Sequence, residues 1–361
     1  MAQDNLSYQT PPLSILQLAD YERSPSVAMD TKKDYMLLSY RSTYKTLEDL
    51  NQQEISVGGL RINPVTNIAT STSYINNLKV RKLINIEPTQ VMDLPINPRI
   101  TNVAWSPDET KIAFTHTSTE GVELWLLDIA SAQAVQLTGP VVNANLGSPL
   151  NWYRDSKHIL VRLLPKNRPV LHDAKENVPT GPTVSVSDGS KAQNRTYPDL
   201  LKNSTDEANF VSLTTSELYK VSLSGDAEFF MGGDMYAGEN ISPDGKYILI
   251  TTLHKPFSYI VPLNRFPQLS IVYTIGGGKV KTVNEVPLSE VLPKGFMAVR
   301  KGKRDMGWRS DVPSTLYYAE ALDGGDPQVK VEHRDALFQW EAPFNEAAVL
   351  FTKTISRFSH I

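Results

Sequence analysis

The clearest candidate for binding chemistry is a cluster of positive charge, formed by Arg300, Lys301, Lys303, Arg304 and Arg309. Several cations so close together create a local positive potential suited to holding an acidic side chain. The competing interpretation is a solvated loop, which is the usual role of a charge run. We favour the solvated loop and keep these five residues as the candidate site for binding an acidic group.

Other catalytic patterns are missing from the sequence. It contains no Gly-x-Ser-x-Gly, the turn that exposes a nucleophilic serine between a strand and a helix. The chain has 6 histidines, none arranged as a zinc-binding His-Glu-x-x-His, and it has no cysteine. The run Gly276-Gly277-Gly278-Lys279 lacks the first glycine of a phosphate loop, so we interpret it as a hairpin turn. We therefore expect no catalytic residue, no metal and no cofactor in this chain.

Composition places the chain among folded proteins. Of its 361 residues, 40% are hydrophobic and 21% are charged, and the net charge is −3. That balance argues against a nucleic-acid partner. No apolar run is long enough for a membrane span. The start is not a signal peptide, but Ala2-Gln3-Asp4 resembles a mature end after signal cleavage. This favours a periplasmic or secreted location and leaves a cytoplasmic one open.

The elements that must position these residues are short strands. Eight apolar runs, bounded by Pro, Gly, Asp, Asn or Ser, predict them. The runs are 35–40, 111–116, 122–129, 158–164, 217–223, 246–252, 269–275 and 315–320. An all-β sandwich, barrel or propeller follows from this pattern.

A repeat favours the propeller. Trp105-Ser106-Pro107-Asp108 and Ile241-Ser242-Pro243-Asp244 each precede an aliphatic strand, and related turns follow Trp152 and Trp308. Proline fixes φ in such a turn, and the aspartate bonds back to the backbone, which gives these aspartates a structural role. The interval from Trp105 to Trp152 matches one four-stranded blade.

The repeat predicts how the chain is organised. Residues 1–26 are a lead-in, extended or briefly helical, and residues 27–361 form the propeller. We expect about six of seven or more blades and an incomplete ring at the C-terminus. The Pro- and Asn-rich stretch at about 165–210 is interpreted as a loop inserted between two strands of one blade.

Three long stretches carry a resemblance to a known family: residues 302–326, 58–67 and 255–267, which include Gly58-Gly59-Leu60-Arg61 and Pro262-Leu263-Asn264-Arg265. They resemble the propeller of the glutamyl endopeptidase group of the prolyl oligopeptidase family. In that family an N-terminal propeller restricts access to a C-terminal α/β-hydrolase domain with a Ser-Asp-His triad, and this group favours cleavage after glutamate. The resemblance implies that the hydrolase domain is absent from this chain, so we expect an inactive N-terminal fragment.

Three functional hypotheses follow. The first is a non-catalytic propeller that gates and filters peptides or unfolded proteins for the hydrolase domain of the full-length peptidase. Here the five cations would bind the glutamate of the substrate, and Arg304→Ala or Arg309→Ala would weaken glutamate selectivity. The second is a stand-alone binding propeller of the cell envelope. The third, a propeller enzyme such as a glycosidase, is supported by fold analogy alone.

Overall fold

Short strands alternate with tight turns throughout the computed structural model, which describes residues 9–19, 21, 23–172 and 196–358. The strands form five four-stranded antiparallel sheets and one two-stranded hairpin. Each four-stranded sheet is a blade built from consecutive strands, except that the hairpin interrupts the first. The predicted all-β propeller with four-stranded antiparallel blades is confirmed. The sequence predicts about six blades, and the described residues form five blades and the hairpin.

Blades 1 to 3 occupy the first two thirds of the chain. Blade 1 contains β1 (Ser26–Met29), β2 (Tyr35–Tyr40), β5 (Asn77–Lys82) and β6 (Thr89–Gln90). Blade 2 contains β7 (Ile100–Trp105), β8 (Lys111–Thr117), β9 (Val122–Asp128) and β10 (Gln133–Gln136). Blade 3 contains β11 (Leu150–Trp152), β12 (His158–Leu163), β13 (Ser216–Ser222) and β14 (Ala227–Asp234).

Blades 4 and 5 follow the same order. Blade 4 contains β15 (Tyr236–Ile241), β16 (Tyr247–Leu253), β17 (Gln268–Thr274) and β18 (Lys279–Val286). Blade 5 contains β19 (Arg304–Trp308), β20 (Thr315–Ala321), β21 (Asp335–Glu341) and β22 (Val349–Thr354). The remaining elements lie outside the blades: α1 (Leu13–Ala19), α2 (Leu47–Leu50), the hairpin β3 (Ile55–Val57) and β4 (Leu60–Ile62), and α3 (Ser204–Thr214).

The eight predicted strands are all second or third strands of blades. These strands have neighbours on both edges and packed blades on their faces, so their sequences are nearly continuous apolar runs. In β8, for example, Ile112, Ala113 and Phe114 are fully buried. Most of the missed strands are edge strands, which mix polar and apolar residues, as in the solvent-exposed β22. The prediction also missed the central strands β5 and β21, because polar residues such as Lys79 and Gln339 interrupt their apolar runs.

The repeated turns close as their residue types predict. Asp108 Oδ1 accepts the backbone N–H of Thr110 at 3.1 Å and the hydroxyl of Ser106 at 2.6 Å. Asp244 makes the same contacts with Lys246 and Ser242. The next residue has a positive φ in both turns, 60° at Glu109 and 73° at Gly245, which glycine adopts without strain.

Hydrogen bonds also join the turns of neighbouring blades. The backbone N–H of Asp108 donates to Ser156 Oγ at 3.0 Å, and Arg154 Nε donates to the Ser242 carbonyl at 3.2 Å. Ser314 Oγ donates to Asp244 Oδ1 at 2.6 Å. The repeated sequence therefore shapes each blade and also fixes the spacing between blades.

Apolar layers fill the spaces between blades. One layer joins blades 1 and 2 through Leu37, Ile100 and Phe114, and another joins blades 4 and 5 through Leu249 and Leu316. Blades 3 and 4 are also linked by a buried ion pair. Arg162 Nη2 lies 2.8 Å from Glu239 Oε2, with the side chains 3% and 1% exposed. Within the described residues, no helix has the length and apolar character needed to cross a membrane.

Candidate functional site

The antiparallel blades give the molecule two different faces. Connections between the first and second strands leave one end of each sheet, and connections between the second and third strands leave the other. The first set consists of tight turns, whereas the second includes the long segments 41–76, 164–215 and 254–267. We call the side that carries the second set the insertion face.

Long connections from three blades pack together on the insertion face. Val57 and Ile62 of the hairpin, Phe210 of α3 and Phe266 belong to one buried cluster. The ring of Phe210 makes edge contacts with Phe257 at 5.1 Å and with Phe266 at 5.7 Å between centroids. The described part of the insertion in blade 3 is thus a packed layer ending in a helix that the sequence analysis did not predict.

Polar contacts hold the C-terminal end of α3 in place. The carbonyl of Leu213 accepts the side-chain amides of Asn143 at 3.0 Å and Asn145 at 2.6 Å, and that of Asn67 at 3.2 Å. Carbonyls at a helix end have no partner within the helix, so these amides satisfy an otherwise orphan acceptor. Arg168 adds a bond from Nε to the Ser212 carbonyl at 3.0 Å.

A groove of about 1480 Å³ opens on the same face, between the connections of blades 1 and 2. Its walls come from α2, from residues 63–77 and from the chain around Arg99 and His116. Carboxamides and tyrosines are frequent among the lining side chains. They are Gln52, Gln53, Asn63, Asn76, Asn77 and Asn97, with Tyr21, Tyr40, Tyr44 and Tyr74.

Arg99 lies in the wall of the groove. Its guanidinium carbon is 4.3 Å from the centroid of the Tyr74 ring, and Nη2 is 3.0 Å from Asp49 Oδ1. The backbone N–H of Arg99 donates to His116 Nδ1 at 3.2 Å. Burial, with a smaller effect of the Arg99 charge, lowers the pKa of His116 to about 4. His116 is therefore neutral at neutral pH and acts as a hydrogen-bond acceptor.

Several buried polar atoms in the wall of this groove have no hydrogen-bond partner among the described residues. They are Asp49 Oδ1, Thr66 Oγ1, Arg99 Nε and Thr117 Oγ1. The Asp49–Arg99 ion pair has a short distance but not the geometry of a hydrogen bond. Buried polar atoms normally find partners. These atoms are buried in the wall, while the exposed carboxamides of Gln53 and Asn97 present donors and acceptors to the groove itself.

The predicted cation cluster lies elsewhere, at the start of blade 5. Arg304 is 7% exposed and forms ion pairs with Asp305, at 2.6 Å, and with the fully buried Asp335. It also donates from Nη1 to the Phe358 carbonyl at 2.9 Å. Arg357 contacts Asp335 at 2.9 Å, so two guanidinium groups share one buried carboxylate.

The other four cations of the cluster have different surroundings. Arg309 pairs with Asp311 at 2.6 Å and donates to Gln339 at 2.6 Å. Lys303 Nζ lies 4.5 Å from the Trp340 ring centroid and donates to the Val283 carbonyl. Burial is the main cause that lowers the pKa of Lys303 and Arg300, while Lys301 is exposed. Their contact with a substrate stays a prediction.

Sequence reasoning missed the groove. Its walls come from loops that are separated in the chain and that carry no repeated motif. One available signal was the density of Asn, Gln, Ser and Thr between residues 42 and 77. Within the described residues, no group of three or more His, Asp or Glu is placed to hold a metal ion.

Comparisons with known proteins agree with the fold. No family model matches the chain. It is 32% identical over 354 residues to a probable chloroplastic glutamyl endopeptidase of Oryza sativa subsp. japonica, covering 94% of this chain and 38% of the relative. A probable chloroplastic glutamyl endopeptidase of Arabidopsis thaliana is also 32% identical, over 348 residues, covering 93% of this chain and 36% of the relative.

One solved structure with a similar arrangement is the β-propeller domain of the Trilobed protease from Pyrococcus furiosus. It is 13% identical, with a TM-score of 0.42, and the match covers 89% of this chain and 70% of that one. A likeness at this level establishes nothing further about this chain.

The bladed fold and the sequence relatives together define a peptidase-family β-propeller. More particularly, the chain is similar to glutamyl endopeptidases over most of its own length, and the resemblance predicted from the sequence is confirmed. The chain spans about 38% of the length of the rice relative. The relatives are named as chloroplastic, and the periplasmic or secreted location stays a prediction for this chain.

Proposed function

We propose that the insertion face binds and filters extended peptide segments for a hydrolase domain carried by a longer protein. The observation that supports this most directly is the groove between blades 1 and 2, which is lined by carboxamides and tyrosines and whose wall contains buried polar atoms without a partner in the described part of the chain. A glutamyl endopeptidase relationship makes a peptide the expected ligand.

An extended peptide offers the chemistry that the groove requires. Its backbone presents N–H donors and C=O acceptors in alternation, and both kinds remain unpaired when the segment is not folded. The exposed carboxamides of Gln53 and Asn97 supply both donors and acceptors at the groove surface, and the buried Thr117 hydroxyl adds unused hydrogen-bonding capacity in the wall. A folded protein has already paired its backbone groups internally, so it gains little by entering. Selection for unfolded segments follows from that difference.

The test measures binding of an unstructured peptide to the purified chain by fluorescence anisotropy. Thr117→Val removes a hydroxyl that has no hydrogen-bond partner among residues the structure describes, so the fold is expected to keep its stability while peptide affinity falls at least threefold. Thr352→Val, on the exposed strand β22, is the matched control. Equal affinity in Thr117→Val and the unaltered chain would contradict the groove as the peptide site.

Filtering is tested in a protein that joins this propeller to a hydrolase domain. We expect hydrolysis of unstructured peptides to fall with Thr117→Val, and folded substrates to remain uncleaved. If Thr117→Val weakens binding to the isolated chain but changes hydrolysis of no substrate, the result supports the stand-alone binding module instead.

We further propose that the cation cluster contributes to glutamate selectivity. Lys301 is the member with the most exposed position, while Arg304 and Arg309 are paired with carboxylates of the chain. In the joined protein, Lys301→Ala and Arg309→Gln are expected to reduce the preference for Glu over Gln substrates. An unchanged preference in both correctly folded variants would assign the cluster to structure alone.

A further inference from the structure

A second, smaller cavity lies between blades 3 and 4 and shares no lining residue with the groove. Its volume is about 290 Å³, and it is formed by the end of β14, the first residue of β15 and the paired strands β16 and β17. This size is at the lower limit of ligand pockets, which run from about 300 Å³ upward. One side chain or one small organic molecule therefore fits it.

Asp234 gives this cavity its charge. Its Oδ1 accepts the backbone N–H of Met235 at 2.7 Å, and its second oxygen has no hydrogen-bond partner among the described residues. No lysine or arginine of the described part of the chain forms an ion pair with it. The cavity is also lined by His254, whose Nε2 is hydrogen-bonded to Thr252 Oγ1 at 2.7 Å.

Two tyrosines line the cavity together with Asp234. Tyr236 is 2% exposed and donates its hydroxyl to the Gly232 carbonyl, and Tyr273 is half-buried. Burial and then the charge of Asp234 raise the pKa of both phenols, so the rings stay neutral and lie within the field of the carboxylate. Neutral aromatic rings attract cations through the negative potential of their faces.

We propose that this cavity binds an alkylammonium group, with Asp234 as its ion partner and Tyr236 and Tyr273 as its aromatic walls. The carboxylate selects positive charge. The apolar side chains of Ile250 and Ile271 provide contact for an alkyl stem. The site is independent of the peptide groove and extends the function beyond that proposed for it.

Gly232 lines the cavity without contributing a side chain. A Cβ atom built on this residue meets no heavy atom within 4 Å, so a side chain there would occupy open space without a clash. Its φ is not in the left-handed region, so a larger residue is conformationally allowed. Gly232→Val is therefore a way to fill the space and keep the fold.

The experiment is calorimetric titration of the purified chain with n-butylammonium and, separately, with the peptide acetyl-Ala-Lys-Ala-amide. n-Butanol is the uncharged probe of the same shape. Both cations are expected to bind at least tenfold more tightly than n-butanol. Tighter binding of the peptide identifies a lysine side chain as the ligand, whereas equal or weaker binding identifies a small amine.

Amino-acid substitutions test whether the ammonium group binds in this cavity. Asp234→Asn and Gly232→Val are each expected to weaken ammonium binding at least tenfold, with unchanged thermal unfolding. Glu228→Gln removes the same charge from an exposed position of the same strand and is expected to change affinity less than twofold. Binding that persists in Asp234→Asn, or no binding of either cation, overturns the proposal and leaves the peptide groove unaffected.

Discussion

The sequence identifies Arg304 as a candidate binding residue because of its charge, but in the fold its guanidinium pairs with carboxylates of the chain itself. Its guanidinium shares the buried carboxylate of Asp335 with Arg357, and Arg357 also contacts the buried Asp323 at 2.6 Å. The network ties the chain around Phe358 to blade 5. A buried carboxylate that loses part of its compensating charge is costly.

We predict that Arg304→Ala lowers the free energy of unfolding by about 3 kcal/mol, within the usual range for breaking a buried pair. Chemical denaturation measures it. Lys301→Ala, three residues earlier and exposed, is expected to change stability by no more than about 0.5 kcal/mol. Equal stability of the two variants would show that the network contributes little.

His116 makes stability depend on pH. Its folded-state pKa of about 4 lies below its unfolded value of about 6.5, so the unfolded chain binds the proton more tightly. The contribution is complete above pH 6.5 and is lost as the pH falls towards 4. We expect this residue to account for about 1–3 kcal/mol of the loss between pH 7 and pH 4.

The measurement compares unfolding free energies of the unaltered chain and His116→Asn across that range. Asparagine keeps a side-chain acceptor for the Arg99 N–H but does not titrate. The difference between the two curves is expected to change with pH between 6.5 and 4. If the difference in unfolding free energy stayed constant with pH, His116 would not be a source of the pH dependence.

At the scale of elements, α3 is held by the packing of the insertion layer. Phe210 is fully buried and contacts aromatic rings of the blade 4 connection. We predict that Phe210→Ala, which removes about 3–5 kcal/mol of packing, exposes this layer to limited proteolysis. Phe229→Ala, at a position 57% exposed, serves as the control. If the layer in Phe210→Ala still resisted proteolysis, the polar contacts at Leu213 would be enough to hold α3 in place.

The repeated turns and marker tryptophans show how far sequence predicted the elements. Trp152 Nε1 donates to the Ala104 carbonyl at 3.0 Å, and Trp308 Nε1 donates to the Asn240 carbonyl at 2.8 Å. Both bonds reach the first strand of the preceding blade, β7 or β15, which is why tryptophan recurs at this place. The packing partners of α3 come from three blades, and no local pattern indicates them.

At the scale of the whole molecule, the chain is expected to be catalytically inert. The sequence contains no Gly-x-Ser-x-Gly, and no triad residue can be assigned in it. We predict no hydrolysis of Glu-containing peptides and no labelling by a serine-reactive fluorophosphonate, measured with the purified chain. Active-site labelling would contradict the prediction.

Blade 5 leaves an apolar strand exposed. Val349 and Phe351 of β22 are 61% and 54% exposed. Exposed apolar strands favour association with another chain or blade. We predict concentration-dependent association by light scattering, reduced by Phe351→Lys but not by Val27→Lys on the distant strand β1. A stable monomer at all concentrations would favour the stand-alone binding module.

The sequence by itself determined most of the central strands, the turns and the bladed fold, because continuous burial and turn geometry require particular residues at particular local spacings. It also located the five cations. Only the tertiary structure decided that Arg304 faces Asp335, and that Asp49, Arg99 and Thr117 line one groove. These side chains belong to connections far apart in the chain. Their partners depend on how the blades pack, a property that no local spacing encodes.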